Sequence, residues 1–182
     1  MKIIADTATL YSPTEGESLG MTIIPVCVAI HNKTYKDYAE INSQEFLKMI
    51  EEGGVPTSSQ PALGDVLDVL EQDEEEQIFL TVGDGLSGAY QTAMGARGCM
   101  EKNDHIPIVD SKTLAGPLRY MARKAVALKE QGASLDQILA ALQICIDSSA
   151  SFVIPADFEF LKRSGRLIPI AAKIGGVLKL LP

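Results

Sequence analysis

The chain has 182 residues, of which 46% are hydrophobic and 22% charged, and its formal net charge is −8 at pH 7. This composition is typical of a globular protein and excludes an intrinsically disordered chain, which would be poorer in apolar residues. The negative charge argues against nucleic acid as a partner, because a general nucleic-acid binder must neutralise phosphates.

The first part of the chain predicts extended segments followed by a helix. The predicted elements are a buried strand at residues 3–6, a second strand at 21–30, a turn with a short extended piece at 31–37, and a helix from Asn42-Ser43 to about Glu52. Pro25 lies inside the second predicted strand, which indicates an edge strand or a bulge.

In the rest of the chain, predicted strands and helices alternate. The predicted elements are a polar loop at 56–61, a helix at 62–70, a strand at 77–82, a glycine-rich turn at 83–88, a helix from Ala89, a strand at 106–109, and helices at 114–129 and 134–146. This alternation predicts an α/β fold with a mostly parallel sheet covered by helices on both faces.

The three cysteines, Cys27, Cys99 and Cys145, are widely spaced in apolar stretches. We expect reduced core thiols in a cytoplasmic protein. With two histidines in the chain, neither a metal site nor a cofactor is expected. The N-terminus does not have the pattern of a secretory signal, and no apolar run approaches the length of a membrane span.

The most informative local feature is Gly83-Asp84-Gly85-Leu86-Ser87-Gly88, between a predicted strand and a predicted helix. Free amides at such a turn, together with the helix dipole, favour an anion. The glycine spacing also fits a dinucleotide-binding turn, with Asp110 as the ribose-binding acid, although such a turn normally follows the first strand of its domain. A third interpretation is that the glycines only tighten the turn.

Ser87 lies where many hydrolases place a nucleophile, but a nucleophile elbow needs a glycine at the position of Ala89. The loop Thr57-Ser58-Ser59-Gln60-Pro61 also precedes a predicted helix. Its hydroxyls either cap that helix or, with the Ser87 turn, form an anion pocket at the carboxyl ends of strands. Similarly, Arg166 either belongs to an ordinary cationic helix end or supplies a forked donor to a carboxylate.

Several short segments, spread along essentially the whole chain, carry a family resemblance. They are Ile3-Ile4-Ala5-Asp6-Thr7, Ile24-Pro25-Val26, Tyr35-Lys36-Asp37, Ser58-Ser59-Gln60-Pro61, Leu86-Ser87-Gly88-Ala89-Tyr90-Gln91, Val109-Asp110-Ser111 and Leu161-Lys162-Arg163-Ser164-Gly165-Arg166-Leu167. In this order, they resemble the DegV family of bacterial fatty-acid-binding proteins, which includes the lipid-carrying subunit of fatty acid kinase.

The resemblance implies a cytoplasmic lipid-binding protein that is not itself an enzyme. It implies that a long-chain fatty acid is held at its carboxylate by Ser58 and Ser87, with Ser59 and Gly88 beside them and Arg166 nearby. It further implies that a separate fatty acid kinase catalytic subunit phosphorylates this carboxylate, and it allows transient contact with a membrane surface. The alternatives are a nucleotide-binding enzyme that uses the Gly83–Gly88 turn and a structural fragment that binds no ligand.

The chain also departs from the family pattern. Ser58 replaces the usual threonine, and Gly83-Asp84 replaces two serines, which places an acid beside the expected carboxylate. Family members are about half as long again, so we expect residues 1–150 to form the first lobe and residues 151–182 to begin an incomplete second lobe. The missing part would carry much of the lipid tunnel and a head-group histidine, so the 182-residue chain is expected to bind lipid weakly or not at all.

Overall fold

The computed structural model describes residues 1–72, 75–152 and 154. Residues Met1–Ser151 form one compact unit and residues 152–182 a second, in which the described residues Phe152 and Ile154 are exposed. The predicted helix end at Arg166 lies outside the described residues. The boundary expected between a first and a second lobe stays a prediction.

The strands of the first unit form two separate sheets. In chain order, the strands are β1 (Lys2–Asp6), β2 (Thr22–Ile24), β3 (Cys27–Ile30), β4 (Lys33–Lys36), β5 (Thr57–Ser59), β6 (Gln77–Thr81) and β7 (Ile108–Asp110). The first sheet is parallel with the order β2-β1-β6-β7, and the second is antiparallel with the order β4-β3-β5. The second sheet was not predicted.

Six α-helices are present among the described residues. They are α1 (Pro13–Ser18), α2 (Ser43–Glu51), α3 (Leu63–Leu70), α4 (Ala89–Gly98), α5 (Ala115–Glu130) and α6 (Leu135–Ser148), and a short 3-10 helix covers Thr7–Thr9. Four of the predicted helices are confirmed from α3 onwards, and α2 is confirmed with its Asn42 cap. Helix α1 was missed, although Ser12 and Glu15 form a capping box that marks its start.

The parallel sheet has an apolar cluster on each face. On one face, sheet residues such as Ile3 and Leu80 pack with Leu118 and Met121 of α5 and with Leu142 of α6. On the other face, the cluster contains residues of α3 and α4 together with sheet residues; it includes Ile4, Phe79, Val66, Leu70 and Ala93. The predicted α/β class, with helices on both faces, is confirmed.

The predicted single strand at residues 21–30 is wrong. Thr22–Ile24 pairs in parallel with β1, whereas Cys27–Ile30 belongs to the antiparallel sheet. Pro25 lies between them, where its missing N–H and fixed φ interrupt a ladder, so the chain leaves one sheet and enters the other. The turn predicted at the start of residues 31–37 is confirmed. It joins β3 to β4, and its two residues, His31 and Asn32, have φ of 50° and 59°, as a type I′ turn requires.

Two smaller expectations also need correction. The segment predicted as a polar loop contains strand β5. The N-cap of α3 is Ala62, and this helix has no side-chain cap, so the hydroxyls of this segment are not helix caps. Only Cys145 is buried, while Cys27 is half-buried and Cys99 is exposed. Cys99 is the C-cap residue of α4, and it lies on the surface although its neighbours in sequence are partly apolar.

Candidate functional site

Strand β5 carries the first group of predicted site residues. Ser58 lies opposite Val28 of β3, and Ser59 lies opposite Cys27, and both serines are exposed. Side chains alternate between the two faces of a strand, and directly opposed residues share a face. Ser58 therefore shares the face of Val28, and Ser59 points to the other face, so the two hydroxyls cannot reach one ligand from the same side.

The face that Ser58 shares with Val28 adjoins an apolar cavity. The cavity has a volume of about 160 Å³ and a mostly apolar surface. Its lining residues are Leu10, Val28, Tyr38, Ile41 and Phe46, together with the polar residues Thr7, Asp37, Asn42 and Ser43. Leu10 follows the 3-10 helix at the carboxyl end of β1, and Phe46 belongs to α2. Apolar space is thus available on the same side of the antiparallel sheet as the Ser58 side chain.

The second group of predicted site residues lies in the turn between β6 and α4. A Cβ added to Gly83 would lie 2.9 Å from the carbonyl carbon of Lys112 and from the amide nitrogen of Thr113. Gly85 has a φ of +88°, in the region that favours glycine. The structure of the turn therefore requires glycine at both positions. This agrees with the interpretation that these glycines shape the turn and do not bind a ligand.

Asp110, the proposed ribose-binding acid, is instead part of the support of this turn. Its Oδ1 accepts hydrogen bonds from the amides of Asp84 at 2.9 Å and Lys112 at 3.0 Å, and its Oδ2 pairs with Lys112 Nζ at 2.5 Å. Burial opposes ionisation, but these hydrogen bonds hold the pKa of Asp110 below its ordinary value. Both oxygens are already engaged, which weighs against the dinucleotide-binding interpretation.

The charge of Asp84 is offset locally. Asp84 Oδ2 accepts a hydrogen bond from Gln91 Nε2 at 3.1 Å, and Asp84 is among the acids that raise the pKa of Lys112, after the larger effect of Asp110. Helix α4 has no side-chain cap, so Asp84 is not a helix cap. The acid that the sequence places beside the expected head group therefore interacts with Gln91 of α4 and with Lys112, which follows β7.

Ser87 is half-buried, and its Oγ accepts the amide of Ala89 at 3.2 Å. A hydrolase would need a base beside this serine. The carbonyl of His105 accepts the amide of Gln77, the first residue of β6, whereas Ser87 follows the opposite end of that strand. His105 thus lies near the amino end of β6 and Ser87 beyond its carboxyl end, which excludes this pair as a catalytic dyad.

The structure brings the two predicted groups of residues together through Gln60. A Cβ added to Gly88 would lie 3.1 Å from both Cδ and Oε1 of Gln60 and 3.5 Å from its Nε2. The Gln60 carboxamide therefore lies against the residue that caps α4, directly after Ser87. Sequence reasoning did not single out Gln60; its position beside the serines in a family motif was the available signal.

Sequence reasoning also missed Asp6, which is fully buried at the carboxyl end of β1. Its Oδ1 accepts the amide of Ala8 at 2.9 Å, and its Oδ2 accepts the amide of Val82 at 2.8 Å. Burial raises the pKa of Asp6 to about 6, although both hydrogen bonds act in the opposite direction. This carboxylate connects the end of β1 to the start of the glycine-rich turn.

The described part of the chain contains neither a membrane-spanning helix nor a metal cluster. Among residues 1–72, 75–152 and 154, no helix has the length and apolar character needed to cross a bilayer. The same residues contain no group of histidine, cysteine and acidic side chains that could hold a metal ion.

The chain is similar to known proteins over its whole length. A family model described as "Uncharacterised protein, DegV family" matches residues 1–182. A DegV domain-containing protein of Staphylococcus aureus is 29% identical over 99% of this chain and 65% of its own. This chain thus spans about two thirds of that relative.

Solved structures are similar as well. One is described as DegV, a fatty acid binding protein from Bacillus subtilis; it is 26% identical with a TM-score of 0.84 and covers 100% of this chain and 66% of its own. Another, of a DegV family protein from Thermus thermophilus, is described as showing fatty acid binding. It is 29% identical with a TM-score of 0.79, and the matched region covers 97% of this chain and 64% of the Thermus thermophilus chain.

Proposed function

The chain belongs to the DegV family, and we propose that the complete protein binds a long-chain fatty acid and presents its carboxylate to a separate kinase. The two solved relatives from Bacillus subtilis and Thermus thermophilus are named for fatty acid binding. In this proposal the protein needs no cofactor, acts in the cytoplasm, and does not itself transfer the phosphoryl group.

The observation that carries the proposal is the contact between Gln60 and Gly88. It joins the segment that follows Ser58 to the turn that contains Ser87. A carboxylate at this junction would accept hydrogen bonds from the hydroxyls of Ser58 and Ser87 and from backbone amides at the start of α4. Donors of this kind stabilise an anion, and the dipole of α4 adds to the effect.

Two other predicted residues have narrower roles in the proposal. Ser59 faces away from Ser58, so only one hydroxyl of this pair contacts the head group, and the shared face with the apolar cavity favours Ser58. Arg166 lies outside the described residues, and its proposed role near the carboxylate rests on the family resemblance. The partner kinase rests on the same resemblance.

The apolar cavity beside Val28 gives the first carbons of the acyl chain a place to enter. Its volume of about 160 Å³ is far smaller than a long acyl chain needs, so most of the chain must be buried elsewhere in the complete protein. Burial of each methylene contributes about 0.8 kcal/mol, against an association cost of about 4 to 15 kcal/mol. Affinity therefore depends on the length of apolar contact beyond the head group.

The test is direct binding of palmitate to the delipidated complete protein and to its Ser87→Ala and Ser58→Ala variants. Because a hydrogen bond to a charged group contributes about 1.5 to 3 kcal/mol, each variant is expected to bind at least about tenfold more weakly. Thr57→Val removes an exposed hydroxyl from the same strand without touching the proposed site, and it is the matched control. Unchanged affinity in both serine variants would refute the head-group site.

A further inference from the structure

Gln60 has a side chain suited to a role in the proposed head-group site. It is exposed, and among the described residues its carboxamide makes no hydrogen bond to the protein. Most long polar side chains in such a position would extend into water. The Gln60 carboxamide instead lies against Gly88, beside the start of α4.

Gly88 permits this placement because it has no side chain. Its own φ is −75°, a value open to any residue, so backbone conformation does not require glycine here. A Cβ at 3.1 Å from the Gln60 amide would be tighter than normal contact and would push the amide away. The glycine therefore gives room to one neighbouring side chain.

We propose that Gln60 is a further head-group residue, whose Nε2 donates to the ligand carboxylate, and that Gly88 is glycine in order to admit it. This inference rests on the proposed function and names one more contact in the same site. An uncharged amide donates without adding charge, and its position against Gly88, the residue after Ser87, places the donor where a ligand held by Ser87 would carry an acceptor.

The alternative role for Gln60 is packing, in which its amide only fills the space over Gly88. The two roles differ in their response to charge. Gln60→Glu keeps the shape and replaces the donor by a carboxylate, so it preserves packing but repels an anionic head group. Gln60→Ala removes both the packing contact and the hydrogen-bond donor. Gln60→Lys replaces the amide with a cation.

The experiment measures binding of palmitate and of methyl palmitate to the delipidated complete protein and to these three variants. If Gln60 contacts the carboxylate, palmitate affinity falls about tenfold or more in Gln60→Ala, falls further in Gln60→Glu, and recovers in Gln60→Lys. The affinity for methyl palmitate, the uncharged ester, is expected to change by less than about twofold across the series. Equal palmitate binding by Gln60→Glu and the wild type, or equal losses for acid and ester, would overturn the inference.

Gly88→Ala gives a second test of the same contact. The added methyl group is expected to weaken palmitate binding, by no more than Gln60→Ala does, and to have little further effect when Gln60 is already replaced by alanine. Additive effects of the two substitutions would contradict the proposed role of Gly88.

Ser87→Ala separates this inference from the proposed function. If Ser87→Ala weakens palmitate binding while the Gln60 series does not, Gln60 is not a head-group residue and the fatty-acid site stands. If palmitate does not bind to the wild type, or Ser87→Ala has no effect while Ser58→Ala also has none, the head-group site itself fails, and this inference fails with it.

Discussion

The two segments that carry the candidate serines are held in place in very different ways. The Gly83–Gly88 turn is fixed by Asp6 on one side and by Asp110 and the backbone of Thr113 on the other. Strand β5 is exposed at all three residues and is paired with β3 in a small antiparallel sheet. The comparison indicates that one half of the site is built into the core and the other half is attached to its surface.

This difference has a physical consequence for how substitutions act. A change at the turn removes buried hydrogen bonds or introduces a clash with backbone, so it lowers the free energy of unfolding. A change at β5 affects side chains that are already in water, so the free energy of unfolding hardly responds. Substitutions at the turn and at β5 therefore make a direct test of this contrast.

The largest effect is expected for Asp6→Ala. This substitution leaves the amides of Ala8 and Val82 without their acceptor, and each unsatisfied buried group costs about 1 to 3 kcal/mol. We expect the free energy of unfolding, measured by urea denaturation, to fall by about 2 to 4 kcal/mol. Asp68→Ala, on an exposed position of α3, is the matched control and should change it by less than about 0.5 kcal/mol. Similar values for the two variants would contradict the support assigned to Asp6.

The next effect is a pH dependence with a defined sign. The pKa of Asp6 is raised to about 6 from an ordinary value of 3.8, so the folded protein binds this proton more tightly than the unfolded chain. The contribution of Asp6 to stability therefore decreases as pH rises from about 4 to 6, by on the order of 3 kcal/mol, since each tenfold difference in proton affinity corresponds to about 1.4 kcal/mol. The measurement is the difference in unfolding free energy between wild type and Asp6→Asn across this range.

Asp110→Asn is the internal control for that experiment. The pKa of Asp110 is lowered, so its ionised form stabilises the folded protein above the unfolded pKa, and this contribution is lost as pH falls through the folded pKa. The difference from wild type for Asp6→Asn should therefore change between about pH 4 and 6, whereas the difference for Asp110→Asn should stay constant there and change in the opposite direction only as pH falls below the ordinary value of 3.8. Parallel curves for the two variants would show that one of the two assigned pKa directions is wrong.

A smaller effect is expected for Gly83→Ala. The added Cβ would meet the backbone of Lys112 and Thr113 at 2.9 Å, and backbone cannot move aside as a flexible side chain can. We expect a loss of about 1 to 3 kcal/mol in the free energy of unfolding. Gly64→Ala in α3, where an added Cβ would have open space, should instead stabilise by up to about 1 kcal/mol. If both variants change the free energy of unfolding in the same direction, the close approach of the Lys112 and Thr113 backbone does not determine the effect of a side chain at position 83.

The smallest effect is expected on β5. Thr57→Val exchanges an exposed hydroxyl for a methyl group on a β-branched side chain that suits a strand. The free energy of unfolding should change by less than about 0.5 kcal/mol, as read from the same urea denaturation curves. A loss comparable to that of Gly83→Ala would mean that β5 is part of the cooperative core, and the contrast between the two segments would disappear.

The sequence predicted the parallel sheet and its helices because their signals are local. Buried strands are continuous apolar runs, and helix starts carry caps such as Asn42 and Ser134, both confirmed with capping boxes. The antiparallel sheet was not predicted, because the polar residues Thr57–Ser59 have none of the apolar alternation of a half-buried strand. Their strand conformation comes from pairing with β3, a contact distant in sequence.

The site was predictable in part for the same reason. The family motif and the strand-to-helix turn indicated Ser58, Ser87 and Gly88 from local sequence. The contact of Gln60 with Gly88 and the bond from Asp6 to Val82 join residues far apart in the chain. No periodicity or cap signal reports such contacts, because the first depends on how the segment after β5 lies against the turn before α4, and the second on the pairing of β1 with β6.

The shared carboxylate of Asp6 also bears on local motion. Its two oxygens accept amides from segments that are far apart in sequence, at Ala8 and at Val82, so an opening that exposes one amide strains the bond to the other. Amide hydrogens at these two positions should therefore exchange with deuterium at similar, slow rates. Strand β5, by contrast, can release its amides to solvent while the parallel sheet stays closed.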